Sequence, residues 1–352
     1  MAIVITDNDA RRLLDMSECI AAMHAAFVDF ADGKAVSLPR VRYKADAADG
    51  KLSYFSNVHV GAVPSLGMAC VRAGSHCTTV DPVTGRGTYA NPEPVNWTVI
   101  ILYDMATSEP VAFLHESFVS GFRVGATSGA AVDAIARPES RELALFGTGR
   151  QARSHCLAIS TVRPIQRVRV FSPKPDNRRR FVQEMARDGL EVVAMADPRA
   201  VVEGADIVCC ASNSKTPVFD GRWLVPGQMV ISIANSDVTL IRHEVDDIVL
   251  RRAADIVVND WESVETNRQI ELLDLIADGS VARDRVHELG DVLSGRVSLR
   301  QTRDNIVYYK NNTGMGMQFA AAGAILYRKL KAEGTNRVIP REWLASEKYS
   351  QS

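Results

Sequence analysis

Several kinds of site have no counterpart in this sequence of 352 residues. None of the six cysteines lies in CxxC spacing, and the seven histidines form no HxxxH or HExxH pattern, so no zinc site is predicted. Cys209 and Cys210 lie inside an apolar run, which is typical of buried, reduced thiols in a cytoplasmic protein. No run of about 18 apolar residues argues for a membrane span, and the charged N-terminal segment lacks the apolar core of a signal peptide.

The charge of the chain has no strong bias either. Lys and Arg number 41 and Asp and Glu 42, and no basic stripe points to nucleic acid. The chain is long enough for two domains with a sizeable core. We therefore expect a cytoplasmic protein whose partner is a small molecule, with no nucleic-acid or membrane partner.

A glycine-rich turn follows a buried strand near the middle of the chain. The strand is predicted over the apolar run 143–146 and a helix over 151–160. Strand, glycine turn and helix form the context that a dinucleotide-binding fingerprint requires. Gly147 permits the tight turn, and Gly149 lets the backbone approach a pyrophosphate. The alternative interpretation is an ordinary glycine turn of an α/β protein.

The helix after this turn has the features of a phosphate-binding helix. Ala152 stands where the third glycine of the fingerprint usually stands, and it is small enough for the helix to pack on the strand. The N-terminus of the helix offers unpaired N–H groups and the positive end of its dipole to phosphates. The predicted cofactor-binding residues here are Gly147, Thr148, Gly149, Arg150, Gln151 and Ala152.

Downstream of the turn, apolar strands alternate with helices. Further strands are predicted at 167–171, 191–194, 206–211, 229–234 and 255–258. The last elements predicted are a strand at 307–309 and a helix at 318–332. Continuous apolar strands of this kind form a doubly wound parallel sheet of the Rossmann type, covered on both faces.

The first part of the chain predicts an α+β domain with a mainly antiparallel or mixed sheet. One helix is predicted through 14–30, capped by Asp7 or Asp9, and a strand at 68–73 precedes a polar loop at 77–94. A helix rich in small residues, 118–135, comes just before the glycine-turn strand, so we place the domain boundary near Phe118. The tail after Gly334 is polar and is expected to pack little.

The tip of the second strand of the nucleotide domain bears on the choice of cofactor. An Asp or Glu there would hold the ribose 2′-OH of NAD. This chain has Ser172 and Lys174 instead, with Arg178 close behind. A hydroxyl and basic groups suit a 2′-phosphate better, so the sequence favours NADP over NAD. Arg179 and Arg180 are expected to form a solvated helix face.

Polar residues also follow two later strands. Ser212, Asn213 and Ser214 come after the fourth strand, at the carboxyl edge where they would contact ribose or nicotinamide; plain turn chemistry is the alternative. Asn235 is predicted to contact the cofactor after the fifth strand, and Asp237 is predicted to bind a substrate amine or shuttle a proton. The alternative role for Asp237 is an N-cap or turn residue.

Two arginines are candidates for holding a substrate carboxylate. Arg123 lies in the helix rich in small residues, and Arg72 ends a strand of the first domain. Two fixed cations near a hydride-transfer site would grip a carboxylate in bidentate fashion. The alternative interpretation of Arg72 is that it is a surface arginine with no role in binding. His59 and His76 are candidate proton donors.

Several of these motifs, taken in order, resemble the ornithine cyclodeaminase/μ-crystallin family. They are FRVGATSGAAVDAIARPES at 122–140, GTGRQAR at 147–153, SNSKTPVFDGRWLVPG at 212–227 and NSD at 235–237, and the resemblance covers nearly the whole chain. It implies a homodimer with an NAD(P)-binding Rossmann domain at 118–305 and a substrate-binding and dimerisation domain built from 1–117 and 306–352. It also implies that Arg123 binds the substrate carboxylate and that Asp237 handles the substrate amine.

The sequence departs from the family at three places. The family's lysine in a G-x-K strand motif is absent from 67–72, where Arg72 is the stand-in, and no aspartate follows the glycines at 314–318. Ser172 replaces the acid of NAD-preferring members. The first two changes bear on the substrate and leave the nucleotide site intact.

These observations predict an NAD(P)-dependent oxidoreductase that acts on a small amino or imino acid. Arg123 and Arg72 would hold the carboxylate and Asp237 would orient or protonate the nitrogen, while hydride passes to or from Cα. One alternative is an ornithine cyclodeaminase-type ammonia lyase, which uses NAD(H) without net turnover. Another is a non-catalytic protein of the μ-crystallin type that binds NADPH and a small ligand.

Overall fold

A computed structural model describes residues 1–46, 52–80, 87–90, 97–234, 243–299, 305–311 and 313–346. The chain divides into two compact units. Unit 1 comprises residues 1–22, 32–120 and 314–352, and unit 2 comprises residues 23–31 and 121–313.

Both units combine strands and helices. The strands of the described chain are β1 (Ala2–Ile5), β2 (Val36–Ser37), β3 (Val41–Asp46), β4 (Ser53–Val63), β5 (Met68–Val80), β6 (Gly87–Tyr89), β7 (Trp97–Asp104), β8 (Pro110–His115), β9 (Glu142–Phe146), β10 (Arg167–Phe171), β11 (Val192–Ala194), β12 (Ile207–Cys210), β13 (Met229–Ser232), β14 (Ala253–Val258), β15 (Val286–Glu288), β16 (Ile306–Lys310) and β17 (Val338–Ile339). Its helices are α1 (Asp7–Leu13), α2 (Met16–Ala31), α3 (Phe118–Ile135), α4 (Arg150–Val162), α5 (Pro175–Met185), α6 (Pro198–Val202), α7 (Asp247–Arg252), α8 (Trp261–Thr266), α9 (Ile270–Ala277), α10 (Leu289–Leu293) and α11 (Gly316–Glu333). None of these helices has the length and apolar content that crossing a bilayer requires.

Unit 2 is built on a parallel sheet. Its strand order is β11-β10-β9-β12-β13-β16-β14-β15, and every pairing is parallel. The central strands are apolar on both faces, and Ala144, Val208 and Val230 are fully buried in one core cluster. Strands buried on both faces are those that helices cover on each side. The predicted fold class is therefore confirmed.

Strand β16 pairs with β13 and β14 in the middle of this sheet. It carries Tyr308 and Tyr309, both fully buried. The strand belongs to unit 2, whose residues run to 313.

Unit 1 contains a mixed sheet, as predicted. Its order is β17-β1-β8-β7-β5-β4-β2, with β3 also on β4 and β6 on β5. Of the pairings between described residues, only that of β1 with β8 is parallel. Helix α11 lies across β4 and β5. Its backbone comes so close that a Cβ on Gly61 would overlap Met317 and a Cβ on Gly316 would overlap Val60. Glycine at both positions is what permits this approach.

The N-terminal helix prediction was wrong in one respect. Two helices replace the single helix: α1 ends at Leu13 and α2 begins at Met16. The N-cap of α1 is Thr6, and Asp9 closes a capping box by accepting from the Thr6 N–H at 2.8 Å. Asp9, one of the two predicted caps, therefore contributes from the third position inside the helix, where its carboxylate accepts from the backbone N–H of Thr6.

Strands lie at two places where the sequence predicted none. β5 continues through Thr78 to Val80, because these β-branched residues pair with β4 and β6. After Gly334, β17 pairs with β1, and Arg337 donates to Asp9 at 2.6 Å. Apart from this pairing the described tail is exposed or half-buried, so the prediction that it packs little is confirmed as far as the described residues extend.

Candidate functional site

The glycine turn joins β9 to α4 in unit 2. Gly147 has φ +118°, and a Cβ there would overlap the Ala211 carbonyl oxygen, so the turn lies directly against the end of β12. Gly149 is the N-cap of α4, and a Cβ there would meet nothing within 4 Å. Among the described residues, no side chain caps this N-terminus. The turn therefore presents open space and backbone N–H groups at a helix N-terminus, which suits a phosphate group.

This turn forms one wall of a cleft of about 770 Å³ at the carboxyl ends of β9, β10 and β12. In a parallel α/β sheet, ligands bind at this edge of the strands. The lining residues are Phe146, Gly147, Thr148, Gly149, Arg150, Gln151, Arg153, Phe171, Ser172, Pro173, Asn177, Arg180, Ala211, Ser212, Asn213, Ser214, Thr216, Pro217 and Val218. These described residues include three arginines and no carboxylate, so the cleft suits an anionic ligand.

Most of the predicted cofactor-binding residues lie at this cleft. Those that line it are Gly147, Thr148, Gly149, Arg150, Gln151, Ser172, Ser212, Asn213 and Ser214. Ala152 is fully buried beneath the turn, in agreement with its predicted packing role. Asn235 and Asp237 lie outside the described residues. The binding roles themselves stay predictions.

At the tip of β10 the arginines are arranged differently from expectation. Lys174 is the exposed N-cap of α5 and does not border the cleft. Arg178 donates to the Ser172 carbonyl and lies over the Phe171 ring, 5.7 Å from its centroid. Arg180 lines the cleft and donates to Asn177 at 3.0 Å. Asn177 and Arg180 are one helical turn apart, so the phase of α5 decides which basic side chain reaches the cleft.

Arg153 is a cleft residue that the sequence did not single out. Its guanidinium pairs with Glu184 and donates to the Thr148 carbonyl at 3.1 Å. It therefore ties the glycine turn to α5. Its position one turn into the helix that follows the glycine turn was the available signal.

Glu244 lies behind the cleft and was also missed. Its side chain is 2% exposed, and its carboxylate accepts hydrogen bonds from the Ser212 N–H at 2.5 Å and the Ser212 hydroxyl at 2.8 Å. Its other oxygen accepts from the Ser232 hydroxyl and from the backbone N–H groups that follow β13. Burial raises the pKa of this carboxyl group. Nothing local in the sequence links Glu244 to the glycine turn.

A buried ion pair lies at the same edge of the sheet. Lys310, at the end of β16, is 3% exposed; its Nζ is 2.5 Å from Glu271 Oε1 and donates to the Ala234 carbonyl at 3.0 Å. Burial lowers the pKa of Lys310, but Tyr308, Glu271 and Glu244 outweigh it and leave the pKa raised. The pair therefore holds the end of β13 from the side opposite Glu244.

A buried chain of hydrogen bonds crosses unit 2. His155 Nδ1 lies 2.8 Å from the Gln151 carbonyl, and His155 Nε2 lies 2.9 Å from the Ser128 hydroxyl. Asn311 donates to that hydroxyl at 3.0 Å and accepts from Asn259 at 2.8 Å. The network links α4, α3 and β16. Burial lowers the pKa of His155 to about 4, so the ring is neutral near pH 7.

The two arginines predicted to bind the substrate lie in different units. Arg123 is 6% exposed in α3 of unit 2, and its charge lowers the pKa of the buried Tyr309, which desolvation raises. Arg72 lies in β5 of unit 1, where it donates to Asn57 and to Glu116, the latter at 3.0 Å. Glu116 is 1% exposed, so the guanidinium has a buried counter-ion.

The candidate proton donors His59 and His76 lie near Arg72. His59 Nδ1 is 3.4 Å from the guanidinium. The pKa of His76 is lowered by burial and by the charge of Arg72. Phe319 of α11 has its ring centroid 5.5 Å from the same guanidinium. These side chains form a polar cluster on the face of the unit 1 sheet that α11 covers. Their catalytic or substrate-binding roles stay predictions.

Known proteins resemble this chain over almost its whole length. A Δ1-pyrroline-2-carboxylate reductase of Bacillus cereus is 26% identical over 342 residues, which is 96% of this chain and 99% of the relative. The crystal structure of a probable ornithine cyclodeaminase from Bordetella pertussis is 30% identical with a TM-score of 0.77, covering 95% of this chain and 98% of that one. The Thermococcus litoralis Δ1-pyrroline-2-carboxylate reductase, solved with NADH and L-proline, has the same fold, with 24% identity, a TM-score of 0.80 and coverage of 95% and 99%.

These relatives agree with the enzyme class that the sequence predicted. The family itself is matched by residues 2–334, a span that includes the cleft, all of unit 2 and most of unit 1. The chain belongs to the ornithine cyclodeaminase/mu-crystallin family.

Proposed function

We propose that the chain is an NAD(P)-dependent oxidoreductase that transfers hydride at Cα of a small amino or imino acid. The observation that carries the proposal is the cleft of unit 2, with its glycine turn, uncapped helix N-terminus and three arginines. The names of relatives that are similar over nearly the whole chain supply the reaction class. In the reductive direction an imine, a hydride from the reduced cofactor and one proton give an amine and the oxidised cofactor.

The substrate side of the proposal rests on charged side chains. Arg123 and Arg72 are proposed to hold the carboxylate, which would present the imine carbon to hydride. Asp237 is proposed to orient or protonate the nitrogen. Because Glu116 balances the charge of Arg72, we propose that Arg72 binds the carboxylate as a hydrogen-bond donor within a neutral pair.

We propose NADP rather than NAD as the preferred cofactor. Ser172 and Arg180 border the cleft at the tip of β10, and no carboxylate is found among its described lining residues. A ribose hydroxyl would lack its usual acidic acceptor there, whereas a 2′-phosphate would gain a hydroxyl and a guanidinium.

Two arginine variants test this preference. Arg180→Gln is expected to weaken NADPH binding about tenfold, the effect of losing one hydrogen bond between charged groups, and to change NADH binding little. Arg179→Gln is the matched control, because Arg179 is on the same helix but pairs with Asp176 in solvent. Dissociation constants from the fluorescence of the reduced cofactor measure both. Equal losses for NADPH and NADH in Arg180→Gln would contradict the proposed preference.

The reaction is tested by mixing the purified protein with NADPH or NADH and with a cyclic imino acid. Δ1-Pyrroline-2-carboxylate is the first of these substrates, and other cyclic imino acids follow. Loss of absorbance of the reduced cofactor is the expected result. Ornithine with NAD is the second arm, because the relative from Bordetella pertussis is a probable ornithine cyclodeaminase. Ammonia release without net change in the cofactor would instead support the cyclodeaminase alternative. Cofactor binding with turnover in neither arm would support the non-catalytic alternative.

Asp237→Asn tests the proposed role of that residue, with Asp247→Asn as a control. Asp247 is an exposed residue in the first turn of α7. We expect Asp237→Asn to lower kcat at least tenfold while cofactor affinity is kept, since one general acid or base contributes about 100-fold or more. Unchanged turnover in Asp237→Asn would refute the assignment.

We also propose that the protein is a cytoplasmic homodimer. The face of the unit 1 sheet opposite α11 exposes apolar side chains on adjacent strands: Val41 (59%), Tyr43 (50%), Tyr54 (37%), Trp97 (64%) and Val99 (44%). A contiguous apolar surface of this kind is typical of a protein interface. Light scattering is expected to give twice the mass of the chain, and Trp97→Lys is expected to lower it. A monomeric parent protein would contradict the proposal.

A further inference from the structure

Glu244 connects two strand ends at the carboxyl edge of unit 2. One carboxylate oxygen accepts from the N–H and the hydroxyl of Ser212, which follows β12. The other accepts from Ser232 at 3.0 Å, Ile233 N at 3.0 Å and Ala234 N at 2.7 Å, at the end of β13. All of these partners are donors, which suits an ionised carboxylate, because an ionised carboxylate only accepts.

The hydrogen bonds of Ser212 fix the polarity of its hydroxyl. Its Oγ donates its single proton to Glu244 and accepts from the Ser214 N–H at 3.2 Å. A hydroxyl has one proton and two lone pairs, so one lone pair is left. Ser212 lines the cofactor cleft and therefore offers it a hydrogen-bond acceptor rather than a donor.

The neighbouring strand end is held from both sides. The Ala234 N–H donates to Glu244, and the Ala234 carbonyl accepts from Lys310, which pairs with Glu271. Glu244 therefore cannot shift toward solvent without breaking bonds at both strand ends. Such a held carboxylate fixes what it contacts, as a supporting residue must.

We propose that Glu244 is the positioning residue of the cofactor cleft, and that it holds Ser212 as an acceptor for an N–H or O–H donor of the bound dinucleotide. The donor is a ribose hydroxyl or the carboxamide N–H of the nicotinamide, because these are the neutral donors on the part of a dinucleotide remote from its phosphates and adenine. Glu244 itself lies behind the cleft and acts through Ser212. The inference rests on the proposed function, since it requires that the cleft bind a dinucleotide.

Glu244→Gln is the informative substitution because both carboxylate oxygens are used as acceptors. An amide supplies only one acceptor oxygen, so its NH2 group must face donor groups at Ser212 or at the end of β13. With the amide nitrogen toward Ser212, the Ser212 proton turns into the cleft and the polarity offered to the cofactor is reversed. Dissociation constants for NADPH and NADH are expected to rise about tenfold or more.

Asp206→Asn is a matched control at the opposite edge of the same sheet. Asp206 also holds two backbone N–H groups with its carboxylate, those of Arg141 at 2.7 Å and Glu142 at 3.0 Å. It is remote from the residues that line the cleft. Both this variant and Glu244→Gln are expected to lower the melting temperature, but Asp206→Asn is expected to leave the dissociation constants within about twofold.

Ser212→Ala completes a double-mutant cycle with Glu244→Gln. If Glu244 acts through Ser212, the dissociation constant of the double variant is expected to be no higher than the larger of the two single-variant values. In steady-state kinetics, KM for the cofactor is expected to rise in each variant, while kcat at saturating cofactor changes less. If Glu244 only stabilises the fold, Glu244→Gln is expected to have the same KM for the cofactor as Asp206→Asn.

The outcomes separate this inference from the proposed function. A parent protein that binds neither NADPH nor NADH would overturn the proposed function, and this inference with it. A parent that binds, with Glu244→Gln no weaker than Asp206→Asn, would overturn the inference alone. Additive losses in the double variant would also overturn it, because they would show that Glu244 acts independently of Ser212. If Glu244→Gln does not fold, Ser212→Ala alone must still raise the dissociation constants, and unchanged values would refute the inference.

Discussion

Acid is expected to destabilise unit 2 through His155, which has no exposed surface. Because the Gln151 carbonyl only accepts, Nδ1 carries the proton, and Nε2 accepts from the Ser128 hydroxyl. The neutral ring is thus fully hydrogen-bonded, while a second proton would have to be buried as charge. Burial lowers the pKa to about 4 in the folded protein for this reason.

The size of the effect follows from linkage. In the unfolded chain the His155 pKa is about 6.5, so between pH 6.5 and 4 the unfolded state binds one more proton than the folded state. The stability is therefore present above pH 6.5 and is lost as the pH falls toward 4. A difference of about 2.5 pKa units corresponds to about 3 kcal/mol, a sizeable part of the stability of about 5–15 kcal/mol that folded proteins have.

Urea unfolding at pH 7 and pH 4 measures this loss. The free energy of unfolding of the parent protein is expected to fall by about 3 kcal/mol more than that of His155→Gln. Carboxyl groups titrate in both proteins, so their contributions cancel in the comparison. His24→Gln is the control, because His24 is exposed on α2, and it should behave like the parent. Equal losses in the parent and in His155→Gln would show that the ring is not a source of acid sensitivity.

Two glycines and one ion pair give further tests. Gly147→Ala is expected to destabilise the protein by about 1–3 kcal/mol or more, from its positive φ and the overlap with Ala211, measured by urea unfolding; a neutral effect would refute the close packing. In Gly149→Ala the added methyl group has open space, so this variant is expected to unfold like the parent protein and to lose only affinity for the cofactor, measured by titration. An unchanged affinity would show that the pyrophosphate does not bind at this position. Lys310→Met is expected to lower the free energy of unfolding by about 3–5 kcal/mol, because it leaves Glu271 buried without its cation. Adding Glu271→Met is expected to restore much of this stability. Strictly additive losses would contradict the pairing.

The parts of the site that the sequence predicted are those carried by local patterns. The glycine turn, its strand and its helix are contiguous, so spacing alone located Gly147 and Gly149 at the cleft wall. The strand–helix alternation likewise predicted the parallel sheet. The choice between Arg178 and Arg180 depends on the phase of a helix relative to the sheet, which residue type does not reveal.

Long-range contacts account for what the sequence did not predict. Glu244 reaches Ser212 from 32 positions away, and Lys310 reaches Ala234 from 76. Glu244 lies in a charged stretch with Asp246 and Asp247, and Lys310 ends an apolar run, so neither stands out in the sequence. The strand order brings them to one edge of the sheet. The position of β16 between β13 and β14 has the same origin, because sheet order follows from packing rather than from order along the chain.

The packing of α11, a late element of the chain, against early strands of the unit 1 sheet has a consequence for biosynthesis. Cys70 of β5 donates to the Gly316 carbonyl across 246 positions of sequence, and Gly323 packs against Leu102 of β7. A ribosome therefore makes β1 to β8 of this sheet early but supplies the helix that covers them, followed by β17, only after the last strand of unit 2. Until then the inner face of the sheet, including Leu102, has no cover and is open to chaperones or to aggregation. Unit 1 begins the chain but is the last to complete its core.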